Sequence, residues 1–315
     1  MCGVLARKGM VYRMQRWTVI VPVVATVFAL SGEGLFAADK EKNDPQQRSP
    51  SERHWQIGFT PSFSSGNFGT NTTSTFVYAP VSIRRLFRDG DVTLVIPFVS
   101  VTSNGAATLV GGQPTPALGG GCFRNGGTEF RFDKPECVAS LNAGQGVTTG
   151  QKETHSGLGD IILRGRYYIV EEREYVPLIA LTARMKLPTA NASQGLGTGA
   201  FDHGYGVELS KVFGEHWIGF LDGGYNFIGN PDGRELRNQY WYDVGGGYYF
   251  TQRFLVSAYY EEYRSLVADL VNIRDFFFAF NYRATDAWRF NGGVTVGVSN
   301  SAPDYALSLG TSYRF

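Results

Sequence analysis

The chain has 315 residues, a formal net charge of +1 and a mean hydropathy of −0.15, and 18% of its residues are charged. This near-neutral balance argues against nucleic acid as a partner, because nucleic-acid binding needs an excess of basic residues. The mean hydropathy argues against a bundle of apolar membrane helices. It is compatible with membrane-spanning strands, in which lipid-facing apolar residues and inward polar residues alternate and cancel in an average.

The first 37 residues have the order of a secretory signal peptide, a basic segment followed by a short apolar one. An uncharged run of 16 residues, 17–32, follows four basic side chains. A helix that spans a bilayer needs ~20 apolar residues, so a permanent N-terminal anchor is the weaker alternative. Leu35 and Ala37 suit the −3 and −1 positions of a cleavage site, which predicts removal of residues 1–37. The formal net charge then falls from +1 to −2, since four basic residues and one acidic residue leave.

Residues 38–53 are polar and charged and contain Pro45 and Pro50. A segment of this composition cannot bury enough apolar surface to fold. We expect it to be a disordered leader in the periplasm.

Twelve segments of the remaining chain alternate apolar and polar side chains with a period of two, the pattern of strands with one face against lipid. In the last segment Leu307 and Leu309 share one face, while Ser308 and Gly310 share the other. The segments are 54–64, 73–86, 91–102, 160–169, 176–187, 203–213, 217–227, 240–250, 254–263, 276–283, 288–298 and 305–315.

The joints between these segments alternate in length. The short joints are 88–90, 171–175, 214–216, 251–253 and 284–287, and the longer ones include 188–202, 228–239, 264–275 and above all 103–156. Short turns at one rim and long loops at the other are typical of outer-membrane barrels, whose short turns lie in the periplasm. Loop 103–156 is therefore predicted to lie outside the cell.

Closure into a barrel has a physical reason, because in lipid every backbone N–H and C=O must find a partner within the protein. The terminal Phe315 resembles the C-terminal signal that the barrel-assembly machinery reads on outer-membrane proteins. We predict an all-β fold over residues 54–315, a transmembrane antiparallel up-and-down β-barrel of twelve strands. It would lie in the cell outer membrane, surrounded by its lipid.

Two cysteines remain after loss of the signal peptide, Cys122 and Cys137, both in the longest loop. An even pair in an oxidising compartment predicts a disulfide. A metal site would need more ligands than the nearby His155 supplies, so we expect neither a metal nor another cofactor.

An outer-membrane lipid enzyme would need a serine nucleophile and a histidine base. His155 and Ser156 are adjacent, and neighbours on a strand point to opposite faces, so they cannot form the hydrogen-bonded pair that such catalysis requires. The G-x-S-x-G elbow is absent from the sequence as well. We therefore expect no enzymatic activity.

The inward faces of the predicted strands carry many charged side chains. They are expected to line the lumen and include Asp160, Arg164, Arg166, Arg184, Lys186, Glu208, Asp222, Asp243 and Glu261. In a narrow barrel such charges can simply pair across strands; the alternative is a polar conduit or ligand site beneath the long loops. Inward glycines and aromatic residues favour an amphipathic or aromatic solute over a simple ion; they are Gly245, Gly247, Tyr249, Tyr259, Phe220 and Phe277.

Several stretches of the second half form a recognisable order. They are SGLGDIILRGRYY at 156–168, LPT at 187–189, LGTG at 196–199, GVELSKVF at 206–213, DGGYN at 222–226 and DVGGG at 243–247. This order resembles the outer-membrane transporter family named for the meta-pathway of phenol degradation. The resemblance covers 156–315 well and 54–102 loosely, and it does not cover 103–155 with its cysteine pair.

The resemblance implies a channel for hydrophobic or aromatic compounds. Together with the lumen residues it favours an outer-membrane channel or transporter for small solutes of that kind. A non-transporting surface barrel, such as an adhesin or a structural barrel with a filled lumen, is the alternative. An outer-membrane lipid enzyme is the third possibility.

Overall fold

The computed structural model describes residues 54–70, 72–103, 107–116, 123–124, 129–130, 152–231, 236–268 and 270–315. The predicted signal peptide, the predicted leader and the cysteines Cys122 and Cys137 lie outside the described residues. In the described part of the chain no helix has the length and apolar character needed to cross a membrane.

Twelve antiparallel strands form one closed barrel, as the alternation predicts. The strands are β1 (Trp55–Phe59, continued by Ser62–Gly66), β2 (Ser74–Phe87), β3 (Gly90–Ser103), β4 (Glu153–Leu158, continued by Ile161–Val170), β5 (Leu178–Leu187), β6 (Asp202–Phe213), β7 (Trp217–Phe227), β8 (Gln239–Thr251), β9 (Phe254–Tyr263), β10 (Ile273–Arg283), β11 (Trp288–Gly297) and β12 (Tyr305–Arg314). Each strand pairs with its neighbours in the chain, and β12 pairs with β1. The backbone groups of Trp55 and Phe315 exchange two hydrogen bonds of 3.0 and 2.8 Å, which closes the seam.

Prolines explain the two interrupted strands. β1 is broken between Phe59 and Ser62, where Pro61 lies in a gap that faces Pro80 of β2, and β4 is broken at Gly159, opposite Pro97 of β3. Proline has no N–H to donate, so a regular ladder cannot pass through these positions. The carbonyl of Pro97 still accepts a bond from the Gly159 N–H at 2.9 Å. Pro80 and Pro97 face each other within an intact β2–β3 pair, so neither proline ends its strand.

The outer surface is an apolar belt, which fits lipid. Leu307, Leu309 and Val244 on the outer face are all exposed, while the residues between them are mostly turned inward. Exposed aromatic rings form two girdles, as expected at membrane interfaces. At the short-turn rim the girdle includes Trp55, Phe213, Trp217, Phe250, Tyr282, Trp288 and Phe315, and at the long-loop rim it includes Phe201, Tyr205, Tyr225, Phe227, Tyr240 and Tyr305.

The joint between β3 and β4 contains secondary structure of its own. Ala107–Val110 and Gln113–Pro116 pair as a two-stranded sheet separate from the barrel, which we call the inner hairpin. Its turn consists of Gly111 and Gly112, with φ of +59° and +92°. Two consecutive positive φ angles define the tight hairpin turn that glycine accommodates without strain. A second short pair joins Phe123–Arg124 to Glu129–Phe130.

Candidate functional site in the barrel lumen

The inner hairpin lies inside the barrel at the long-loop end. Its tip contacts inward side chains of two strands: Arg184 Nη2 of β5 donates to the Gly111 carbonyl oxygen at 3.5 Å, and Gly112 packs against the ring of Tyr78 of β2. On a third strand, β8, Gln239 Nε2 donates to Gln113 Oε1 at 3.2 Å. Because β2, β5 and β8 are spread around the barrel, the hairpin crosses the lumen.

The flanks of the hairpin are held by polar and apolar contacts. Thr108 Oγ1 donates to the carbonyl oxygens of Gly195 and Gly197, at 3.0 and 3.4 Å, in the loop between β5 and β6. The apolar side of the hairpin packs in a buried cluster that we call the apolar collar. It consists of Phe68, Phe76, Tyr78, Val99, Val101, Ala107, Leu109 and Leu196. The long-loop end of the lumen is therefore occluded by a hairpin seated on an apolar collar.

Two sets of charged side chains stand out on the inner surface of the barrel. Five buried carboxylates on β6 to β10 form a continuous row, because each stands directly opposite the next in the strand register. We call this set the acidic row, and it consists of Glu208, Asp222, Asp243, Glu261 and Asp275. The basic wall lies on β2, β4 and β5 and consists of Arg84, Arg164, Arg166, Arg184 and Lys186.

Ion pairs join the basic wall to carboxylates at its edges. Arg166 Nη2 donates to Glu208 Oε1 at 3.0 Å, and the Nε atom lies 2.8 Å from Oε2 in the same ion pair. Arg84 Nη2 lies 2.7 Å from Asp91 Oδ2, and Arg166 Nη1 lies 3.8 Å from the same oxygen. All four side chains are buried, where such hydrogen-bonded pairing is needed to offset the loss of water.

A second buried network surrounds Lys186. Its Nζ contacts Asp202 at 2.7 Å, Asp160 at 3.3 Å and Thr198 Oγ1 at 2.7 Å. Asp160 also accepts a hydrogen bond of 3.0 Å from the Ala190 N–H. This network ties the loop after β5 to the wall that supports the inner hairpin.

A small cavity, which we call the lumen chamber, has a volume of about 40 Å³ and is lined in part by Arg184, whose guanidinium also contacts the hairpin tip. Its lining includes Thr93, Arg164, Arg166, Arg184, Glu208 and Trp241. The Trp241 ring lies over Gly206 and Gly224, because a Cβ atom at either glycine would lie within 2.9 Å of it. Behind Trp241 the buried ring of Tyr263 stacks at 6.3 Å between centroids.

The short-turn half of the lumen holds an aromatic cluster on β7 to β10. It consists of Ile218, Phe220, Tyr249, Leu255, Tyr259, Phe277 and Ala279. Gly245 lies against the Tyr259 ring and Gly293 against the Phe277 ring, where a Cβ atom would clash. Glycine on one strand thus makes room for an aromatic ring on the next.

The structure places all nine charged residues of the sequence-based lumen set in the barrel interior. It brings Arg166 to Glu208 and Lys186 to Asp160, and it sets Asp222, Asp243 and Glu261 side by side. Arg164 and Arg184 face each other across β4 and β5. That these residues line an open pathway stays a proposal.

Sequence reasoning missed the inner hairpin and Trp241. The hairpin had a signal, the pair Gly111 and Gly112 between short strand-like runs. For Trp241 the only signal in the sequence is its place in the alternation of β8, which puts its side chain on the same face as that of Asp243. Asp91, Asp202 and Asp275, which also lie inside, could have been found in the same way.

His155 and Ser156 do not bond to each other. Ser156 Oγ donates to Ser100 Oγ at 2.7 Å, and His155 Nε2 lies 3.5 Å from Glu153 Oε2. Among the described residues no group of three or more His, Cys, Asp or Glu side chains is arranged to hold a metal ion.

The fold is similar to that of a solved outer membrane channel. The COG4313 outer membrane channel from Pseudomonas putida F1 matches 85% of this chain and 100% of its own, with a TM-score of 0.60 and 14% identity. The toluene transporter TodX from P. putida matches 83% of this chain and 80% of its own, with a TM-score of 0.38 and 12% identity. The transport unit of the autotransporter AIDA-I from Escherichia coli matches 87% of this chain and 95% of its own, with a TM-score of 0.43 and 12% identity.

No curated protein sequence matches the chain. The chain does match a protein-family model. Residues 88–315 match the family Phenol_MetA_deg, which is described as the MetA-pathway of phenol degradation. That match spans more than half of the chain and agrees with the resemblance carried by the stretches between 156 and 247. The protein is an outer-membrane β-barrel that belongs to the Phenol_MetA_deg family.

Proposed function

We propose that this protein is an outer-membrane channel for small hydrophobic or aromatic solutes, closed in the described conformation by the inner hairpin. One observation carries the proposal: the hairpin forms a sheet of its own, outside the hydrogen-bond ladder of the barrel. Its withdrawal would break side-chain contacts, such as Gln113 with Gln239, without breaking the barrel seam. In lipid this matters, because a barrel with an intact ladder leaves no backbone group unpaired.

The solute class is supported by the two apolar regions of the lumen. A solute that enters from the long-loop side meets the collar around Phe76 and then, in the short-turn half, the aromatic cluster around Tyr259. Both regions expose ring faces and alkyl groups once the hairpin has left. The P. putida F1 protein is described as an outer membrane channel, which agrees with the proposal.

A non-transporting barrel is the second candidate, and the burial of the lumen charges favours it. Lys186, Asp243 and Asp275 are fully buried in this conformation. A lumen packed in this way serves a surface protein as well as it serves a closed channel. We assign no catalytic role, which is supported by the separate hydrogen-bond partners of His155 and Ser156.

Conductance in planar bilayers separates the two candidates. We compare the wild type with a variant in which a short Gly-Ser linker replaces residues 107–116, and with a control that loses 141–150 from the same loop in the same way. A channel predicts that only the first deletion raises the conductance several-fold. Equal, negligible conductance of all three proteins, each with the heat-modifiable migration of a folded barrel, would rule out transport through this lumen.

A locked variant tests whether hairpin movement is required. In a Cys122→Ser/Cys137→Ser background, Gln113→Cys and Gln239→Cys are joined by a short thiol-specific linker that reductant cleaves. The linker should suppress channel openings, and the reductant should restore them. The same linker attached to Gln113→Cys alone is the control.

A further inference from the structure

The lumen chamber contains a buried hydrogen-bond donor that lacks an acceptor. Trp241 is 4% exposed and lines the chamber, and its Nε1 has no hydrogen-bond partner among the described residues. A buried donor that stays unsatisfied destabilises a protein, so such atoms in a native structure point to a partner. The indole N–H therefore points to a ligand that brings an acceptor.

The charges around the chamber match an anion. The chamber lining includes three arginines, Arg164, Arg166 and Arg184, and two carboxylates, Asp91 and Glu208. Among the charged side chains of this lining the cations therefore exceed the anions by one.

The shape of the chamber matches a flat ring. The Trp241 ring lies on Gly206 and Gly224, so it forms a smooth side of the cavity. Guanidinium groups also stack on aromatic faces and bind carboxylates through paired N–H groups. Arg164 and Arg184 can supply both contacts from the adjacent strands β4 and β5, where they are cross-strand neighbours.

We infer that the lumen chamber binds a small aromatic carboxylate, with its ring beside Trp241 and its carboxylate accepting hydrogen bonds from the Trp241 indole N–H, Arg164 and Arg184. The inference rests on the proposed channel function, because it names the solute class of the same lumen.

Binding is coupled to the position of the inner hairpin. A cavity of about 40 Å³ holds roughly three water molecules, so the solute fits only when the hairpin tip moves away. Arg184 Nη2 donates to the Gly111 carbonyl at 3.5 Å. A carboxylate oxygen would replace this neutral acceptor with a charged one, so that donor and acceptor attract each other as an ion pair. The solute thus competes with the hairpin tip for the same arginine.

The test measures binding of 4-fluorobenzoate to the detergent-solubilised full barrel by ligand-observed ¹⁹F NMR. The neutral aromatic 4-fluorobenzyl alcohol and the aliphatic anion cyclohexanecarboxylate, as a competitor, are the comparison ligands. We expect both to bind at least about tenfold more weakly. Arg164→Gln and Arg184→Gln should each weaken 4-fluorobenzoate binding by about tenfold, the scale of one lost charge-assisted contact.

Two further variants identify the contacts. Trp241→Phe keeps a ring but removes the N–H, and it should weaken binding several-fold. Arg283→Gln removes an inward arginine at the short-turn end of β10, remote from the chamber lining, and should leave the affinity unchanged. Equal affinities for 4-fluorobenzoate and the alcohol, or an unchanged affinity in both chamber arginine variants, would overturn the inference.

The outcomes for the channel and for the chamber are distinguishable. If the hairpin deletion conducts but no variant-sensitive 4-fluorobenzoate binding is found, the solute class is wrong and the channel stands. If binding follows the predicted variants but the deletion does not conduct, the chamber is a ligand site in a barrel that does not transport.

Discussion

Gly111 and Arg184 meet at the tip of the inner hairpin, where a Cβ atom on Gly111 would lie 2.5 Å from Arg184 Nη2. The contact joins a residue of the longest loop to an inward residue of β5, 73 positions away in the chain. A side chain there would displace the Arg184 guanidinium from its contact with the hairpin, and the φ of +59° also favours glycine. Glycine at position 111 therefore lets Arg184 reach the hairpin tip.

Gly111→Ala should displace the hairpin tip and raise the single-channel conductance. The methyl group would push the Arg184 guanidinium away from the Gly111 carbonyl, and the hairpin has no ladder bonds to the barrel that would hold it in place. Gly214→Ala is the matched control, because Gly214 also has a positive φ, +63°, but has open space around its Cβ position. Conductance that rises equally in both variants would show that backbone strain alone, and not the contact with Arg184, is responsible.

Arg166→Ala should destabilise the barrel by about 3–5 kcal/mol, since it leaves the buried Glu208 without its bidentate partner. Arg166→Leu combined with Glu208→Leu should cost clearly less, because both buried charges are then removed. The measurement is urea unfolding in lipid vesicles, followed by tryptophan fluorescence.

The control pair for this prediction lies at the short-turn rim. Lys211 Nζ contacts Glu172 Oε1 at 3.1 Å, and both side chains are partly exposed, by 19% and 24%. Lys211→Ala should change the stability by no more than about 1 kcal/mol. Similar losses for Arg166→Ala and Lys211→Ala would contradict the structural role of the buried pair.

Ion selectivity should depend on the basic wall. In the variant that lacks residues 107–116, Arg164→Glu with Arg184→Glu should shift the reversal potential in a salt gradient toward cation selectivity. Arg85→Glu, on the outer face beside Trp55, is the control and should leave the reversal potential unchanged. An unaltered reversal potential in the folded double mutant would mean that these two arginines do not line the conducting path.

The orientation of the barrel can be tested with protease. Trypsin added to intact cells should cut the long loop near Arg124 or Lys134, while Arg253, in the short turn between β8 and β9, should resist until the outer membrane is permeabilised. The opposite order of cleavage would reverse the predicted topology. Mass spectrometry of the released peptides under non-reducing conditions also tests the predicted Cys122–Cys137 disulfide.

The barrel could be predicted from the sequence because its signals are local. Alternation with a period of two places Leu307 outside and Asp243 inside without any knowledge of the neighbouring strands, since successive side chains on a strand point to opposite faces. The regular change between short and long joints then assigns the rims. Strand number and the closure of the barrel are confirmed by the structure.

The pairings inside the lumen came only from the tertiary structure. The alternation of side chains along each strand places Arg166 and Glu208 inside the barrel. It does not predict that they form an ion pair, because their distance depends on the register of three successive strands and on the curvature of the barrel wall. The contact between Gln113 and Gln239 joins positions 126 residues apart. No periodic pattern in the sequence predicts that the inner hairpin folds into the lumen. Its position depends on contacts with the apolar collar and with Arg184, which come together only when the barrel has closed.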